Sequence, residues 1–240
     1  MTLGDIIDAA AANPTRLRVC SPDDSPDLSD RFGSRNVVVE HTTLPGADEG
    51  FVVVRRDGEF VGSVPVRAFD TLVHPPAGVP GSRDGEADEQ FRALLGLLDD
   101  TVFTSLERDR MLATSREIED RAWRLGHGRL YAGFQSLPVM HAEADVYRRL
   151  ATKPDLRVEV FATPNGDPPA VEGATVRVAD DPEIADTWFV VYDADTRRDS
   201  CALLAVERDP GSYRGFWTYD PERVDEIVLA LRGAVERAEQ

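Results

Sequence analysis

One stretch limits what this chain can become: Ser115-Arg-Glu-Ile-Glu-Asp-Arg-Ala-Trp-Arg-Leu125, then Gly126-His-Gly128, then Arg129-Leu-Tyr-Ala-Gly-Phe-Gln135. Its first part carries helical spacing, the glycines end the helix, and the remainder is short, apolar and suited to a buried strand. A helix delivered through glycines into a buried strand commits the chain to an α/β arrangement.

The flanking sequence supplies more of both elements. Thr2-Leu-Gly-Asp5 is a capping box, and Leu3, Ile6, Ile7 and Ala10 recur at helical spacing until Asn13-Pro14. Strands are predicted at Leu17–Cys20, Asn36–Glu40, Phe51–Arg55 and Glu59–Val66, the last two joined by an Asp57-Gly58 turn. The Pro- and Gly-rich run from His74 to Glu86 reads as a linker. This divides the chain into an α/β unit at 1–74, a linker at 75–89, and a helical pair with a second α/β domain at 90–240.

In that second part a helix is predicted over Glu86–Leu98. A further capping box, Thr104-Ser-Leu-Glu107, opens a longer helix that runs to Leu125. After strand Leu130–Phe134 come a helix at Ala142–Ala151, strands at Leu156–Phe161, Thr175–Val178, Trp188–Tyr192 and Ala202–Val206, and a last helix. That helix has Asp220 as N-cap and Pro221 in its first turn. The order of helix, two strands and a hairpin occurs in both halves. It reads either as two copies of one unit or as the similarity any α/β chain offers. The expected fold is mixed α/β (α+β): two similar units, their mixed sheets including antiparallel hairpins, around a central helical pair.

Forty-four acids face twenty-seven bases, of which Lys153 alone is a lysine, for a net charge of −17. Such an acidic, arginine-biased composition suits a salt-rich cytoplasm, where screening shortens self-repulsion, and it points to an extremely halophilic host, the alternative being an acidic mesophilic protein. It argues against direct nucleic-acid binding, which needs bases to neutralise phosphates. No apolar run is long enough to span a bilayer, and the N-terminus lacks the layout of a signal peptide, so membrane insertion is not expected and a cytoplasmic location is.

No catalytic constellation is found: the sequence has no nucleophile elbow, phosphate loop or dinucleotide fingerprint. His41, His74, His127 and His141 are scattered. His141-Ala-Glu143 has the spacing of zinc deaminases but lacks their cysteine pair, and Cys20 and Cys201 make no metal framework. Asp193 begins a turn, without the lysine that a receiver domain needs downstream. No catalytic residue, metal ligand or cofactor is therefore assigned, and the chain is expected not to be an enzyme.

Three groups remain as candidate interaction residues. Met111, Ile118, Ala122 and Leu125 form a narrow helical stripe that either packs on the protein's own sheet or meets a partner, a second copy included. Tyr131, Gly133 and Gln135 share one strand face. The gap at Gly133 either admits a small ligand or lets another element approach. Trp123, Trp188, Trp217 and Tyr219, with Arg121 and Arg124 nearby, are either core or the walls of a pocket for a planar or anionic ligand. The candidate ligand set is Arg121, Trp123, Tyr131, Gln135, Trp188, Trp217 and Tyr219.

Three blocks in order, Ser115–Ala122 with Leu130–Gln135, Trp188-Phe-Val-Val191, and Gly215-Phe-Trp-Thr-Tyr-Asp-Pro221, resemble the DICT family. DICT is a sensory domain found with diguanylate cyclases and two-component systems. The resemblance spans about Leu95 to Pro221, and the Arg55–Gly62 hairpin looks like that of haloarchaeal stand-alone members. It implies a module that senses an input, light or a related signal, and passes it to an output domain. No kinase, cyclase or helix-turn-helix segment is recognisable, so a separately encoded signalling partner is expected. A ligand-free interaction scaffold is the alternative.

Overall fold

A computed structural model describes residues 1–12, 15–22, 36–46, 48–56, 58–69, 80, 85–164 and 166–238. The chain opens with helix α1 (Leu3–Ala10) and strands β1 (Thr15–Ser21), β2 (Val37–Thr43), β3 (Phe51–Arg56) and β4 (Glu59–Pro65). Helix α2 (Glu86–Leu97), β5 (Phe103–Glu107), α3 (Arg108–Leu125), β6 (His127–Phe134), α4 (Leu137–Leu150), β7 (Asp155–Ala162) and β8 (Thr175–Val178) follow. Then come α5 (Pro182–Asp186), β9 (Thr187–Asp193), β10 (Cys201–Asp209), β11 (Ser212–Thr218) and α6 (Pro221–Ala238).

The strands form a four-stranded sheet, order β2-β1-β3-β4, and a seven-stranded sheet, order β5-β11-β10-β9-β6-β7-β8. Both are mixed, giving the α/β class expected. The smaller has β1 parallel to β2 beside the antiparallel pair β3–β4. The larger repeats that theme with parallel β7–β8 and antiparallel β9–β10, but β6 is inserted between the two pairs. Of the predicted linker at 75–89, residues 75–79 and 81–84 lie outside the described residues and 86–89 belong to α2; Asp57 of the predicted hairpin turn also lies outside.

Alternation along each strand sorts the large sheet's side chains into two layers. Leu130, Ala132, Trp188, Val190, Leu203 and Trp217 face α3 and α4, in a core that continues through α2 to Leu17, Val19, Val52 and Val54 of the small sheet. Tyr131, Phe161, Phe189, Val191, Leu204 and Phe216 face the other way, under α1 and α6. The capping box of α1 is formed, Thr2 Oγ1 accepting from the Asp5 amide at 3.1 Å and Asp5 Oδ2 from the Thr2 amide at 2.8 Å. Leu3, Ile6, Ile7 and Ala10 are then buried beside α6 rather than on the sheet that follows them in sequence.

Two predicted boundaries need correction. Thr104–Glu107 does not cap a helix: it belongs to β5, an edge strand pairing antiparallel with β11 at Phe103↔Gly215 and Leu106↔Tyr213, and α3 starts at Arg108. A local capping pattern gave way to ladder hydrogen bonds with a strand a hundred residues away. Helix α4 begins at Leu137, before the predicted Ala142, with Ser136 at the N-cap and Pro138 in the first turn, where an absent amide costs nothing. Asp220 caps α6 as expected, its Oδ1 accepting from the Glu222 amide at 2.9 Å.

Candidate functional site

Helix α3 brings polar side chains to a buried surface. Gly126 (φ 71°) ends it, and Gly128 (φ 88°), the second residue of β6, runs so close to β9 that a Cβ would lie 2.7 Å from the Asp193 carbonyl. This hairpin-tight link fixes α3 against β6 and β9. Ser115, Glu117, Glu119 and Asp120 are all at most 2% exposed, and buried ionised groups persist only when partnered. Arg116 bridges Glu119 and Glu143 of α4, while the Tyr147 hydroxyl donates to Glu119 at 2.6 Å. Arg124 pairs with Asp120, and also with Glu117 at 3.5 Å.

Burial raises the Glu119 pKa against the opposing pull of Arg116 and Tyr147. Burial alone would lower that of Arg116, but Glu119 and Glu143 hold it above the ordinary arginine value. The Tyr147 hydroxyl is driven well up by burial and by the Glu119 carboxylate. The network therefore stays charged only while all its members remain in place.

Beside it is a narrow slot whose lining includes Arg108, Leu112, Ser115, Arg116, Glu119, Phe134, Val139, Glu143, Tyr147 and Trp188. Trp188 Nε1 donates to Ser115 Oγ at 3.0 Å, Tyr213 meets its ring edge-on at 5.5 Å, and the Arg108 guanidinium lies 5.4 Å over its centroid. The slot is closed, with a free volume of about 10 Å³, the space of one water. Gln135 stands at its rim and donates to the Asp186 carbonyl at 3.3 Å.

The seven candidate ligand residues do not line one cavity. Trp188 and Gln135 are at the slot. Trp217 is core, donating to the Leu95 carbonyl at 2.8 Å and stacking on Phe103 at 6.0 Å. Arg121 covers Tyr219 at 5.6 Å and holds Asp199 at 3.4 Å. Trp123 is clasped by Arg149 at 4.8 Å and by Lys153, the sole lysine, at 4.1 Å. Tyr131 is on the opposite face of the sheet, because it alternates with Leu130 and Ala132. The space at Gly133 is taken by the Phe189 ring, whose Cε1 would lie 2.1 Å from an added Cβ. In the helical stripe, Met111, Ile118 and Ala122 are buried against the protein's own sheet and Leu125 is 38% exposed.

The sequence reading missed Arg108, Arg116, Glu119, Glu143 and Tyr147 at the slot. Their signal was present as an i, i+3 pair on α3 and an i, i+4 pair on α4, but neither pattern separates a buried network from a solvated face.

On the far side of the sheet an open groove of about 240 Å³ lies between α6 and strands β6, β7 and β8, lined by Arg129, Tyr131, Glu159, Phe161, Arg177, Leu231, Arg232, Val235 and Glu236. Among the described residues no group of three or more His, Cys, Asp or Glu is placed to hold a metal, and no helix is long and apolar enough to cross a membrane.

Among solved structures, polyphosphate kinase from Porphyromonas gingivalis aligns at 10% identity with a TM-score of 0.35, over 94% of this chain and 47% of the kinase. At that score the likeness establishes neither a common fold nor common chemistry, and the chain spans less than half of the kinase's length. No curated protein matches the chain. Residues 89–208, half of the 240, match DICT, the sensory domain in diguanylate cyclases and two-component systems. They contain α3, β6, α4 and β9, the elements that build the slot, and the chain belongs to the DICT family of sensory domains.

Proposed function

We propose that this chain is a non-enzymatic cytoplasmic sensory protein that receives a small ligand, or a light-related signal through a bound group, at the slot beneath Trp188. It passes the change to a separately encoded signalling partner through α3. The observation that carries this is the convergence of Ser115, Arg116 and Glu119 of α3, Phe134 of β6 and Trp188 of β9 on one slot with Arg108 above it. A ligand stacking on Trp188 displaces Arg108, the first residue of α3, and a sensor shifts its partner affinity by its differential binding to two such states.

One observation favours the second reading, a ligand-free interaction scaffold: the slot has room for a single water. An absorption spectrum of the purified protein, then mass spectrometry of what denaturation releases, separates the two. A band beyond the protein's own absorption, or a stoichiometric released molecule that Trp188→Phe abolishes in a folded protein, supports the sensor. A clean spectrum with nothing released leaves the scaffold.

A further inference from the structure

The groove on the α6 face differs from the slot in charge as well as in openness. Its floor follows the parallel register Tyr131↔Glu159 and Phe161↔Arg177, with Arg129 two residues before Tyr131 on the same face. Arg177 Nε is bound to Glu159 Oε2 at 2.8 Å and so is neutralised. Arg129 and Arg232 are different. Among the described residues neither has a carboxylate within 4.0 Å, whereas fourteen other arginines are in ion pairs. Both stand beside the Tyr131 hydroxyl, Arg232 across the groove and Arg129 two residues along the same strand face. Arg232 Nη2 lies 3.4 Å from it, and Arg129 is held above its ordinary pKa first by its hydrogen bond to that oxygen.

Two guanidinium groups drawn together repel each other, so the arrangement gains most from an anion placed between them. Asp193, the cross-strand neighbour of Arg129, attracts both guanidinium groups and Glu159 and Glu236 share the groove, but none of these carboxylates closes to within 4.0 Å of either arginine, so the two forks keep donors to offer. Each guanidinium offers a planar fork of donors that fits phosphate oxygens two at a time. A doubly charged phosphate monoester matches two such forks better than a single carboxylate does. Phe161, Leu231 and Val235 beside them provide an apolar wall for the body of the molecule.

We infer that this groove binds a small organic phosphate, its phosphate group between Arg129 and Arg232 and its flat or apolar body against Phe161 and Leu231. The site lies across the sheet from the slot and stands independently of the function proposed for that slot.

The test is titration of the full chain with adenosine 5′-monophosphate, inorganic phosphate and adenosine, followed by amide chemical shifts and by melting temperature, at low and high KCl. The wild type is expected to bind the nucleotide saturably, more tightly than inorganic phosphate and far more tightly than adenosine. Arg129→Gln with Arg232→Gln should weaken nucleotide binding at least about tenfold, the loss of two charge-assisted contacts. Arg198→Gln, an exposed base outside the groove, should leave it unchanged. Absence of saturable binding of either phosphate probe, adenosine binding as tightly as the nucleotide, or equal weakening by Arg198→Gln would overturn the inference. Trp188→Phe should not alter nucleotide binding, so failure here is distinguishable from failure of the slot.

Discussion

The two faces of the large sheet solve the same problem differently. Toward α3 and α4 the core is threaded with charge: Glu119, Asp120 and Ser115 are buried together with Trp188 and Tyr147, and the resulting slot is closed. Toward α1 and α6 the core is nearly all aliphatic and aromatic, and charge stands at its margins, in the pairs Arg214–Asp8 and Arg237–Asp181 and in the open groove. The lesson is one of stakes. A buried polar network specifies one arrangement and fails as a unit, whereas charges at an open groove can be changed one at a time at little cost.

The sharpest test uses adjacent residues of β11 that point to opposite faces. Trp217→Ala and Phe216→Ala should each lose about 3–5 kcal/mol in urea unfolding, with Trp217 toward the upper end because the Leu95 carbonyl also loses its donor. A Trp217 cost well below that of Phe216 would break the comparison.

A second test addresses the edge of the charged face, where the loop after α2 meets the small sheet. Burial, aided by the neighbouring Asp100 carboxylate, raises the Asp99 pKa from 3.8 to about 6 despite the Tyr219 amide and Arg56. In the unfolded chain the carboxyl ionises in its ordinary range, so between about pH 4 and 6 the folded state holds a proton that the unfolded state has lost. Stability then falls as pH rises through this window and levels above it. Asp99→Asn keeps an oxygen for the Tyr219 amide, 2.8 Å away, and removes the titration. Its advantage over the wild type should grow from near zero at pH 4 to about 3 kcal/mol at pH 7. Parallel pH profiles for the two proteins would refute the assignment.

The smallest effects compare two tyrosine hydroxyls. Tyr147→Phe removes the donor to buried Glu119 and should cost about 1–3 kcal/mol. Tyr131→Phe removes the long contact with Arg232 and the interaction with Arg129, both at the open groove, and should cost less than about 0.5 kcal/mol. Thermal unfolding of both variants measures the difference, and equal losses would mean that the groove is as rigidly built as the slot.

Much of this architecture was legible from residues alone. Caps are local: Thr2 with Asp5, and Asp220 before Pro221, need only a few neighbours to act. Buried strands such as Leu130–Phe134 announce themselves by an unbroken apolar run. What was misread depended on distant chain. Thr104–Glu107 became a strand because β11 offered it a ladder, and the tryptophans and tyrosines fell into separate places because alternation along β6 and β9 sends neighbours to opposite faces.

The sequence by itself determined most of the secondary elements, the mixed α/β class, the acidic composition and the sensory family, because each rests on short-range periodicity, composition or contiguous motif. Only the tertiary structure decided which side chains share a site. Glu119 meets Tyr147 across 28 positions, Arg232 meets Tyr131 across 101, and Phe189 fills the space at Gly133. Those meetings depend on strand order and register, which many alternative pairings of the same apolar runs would satisfy equally well until the whole core is packed.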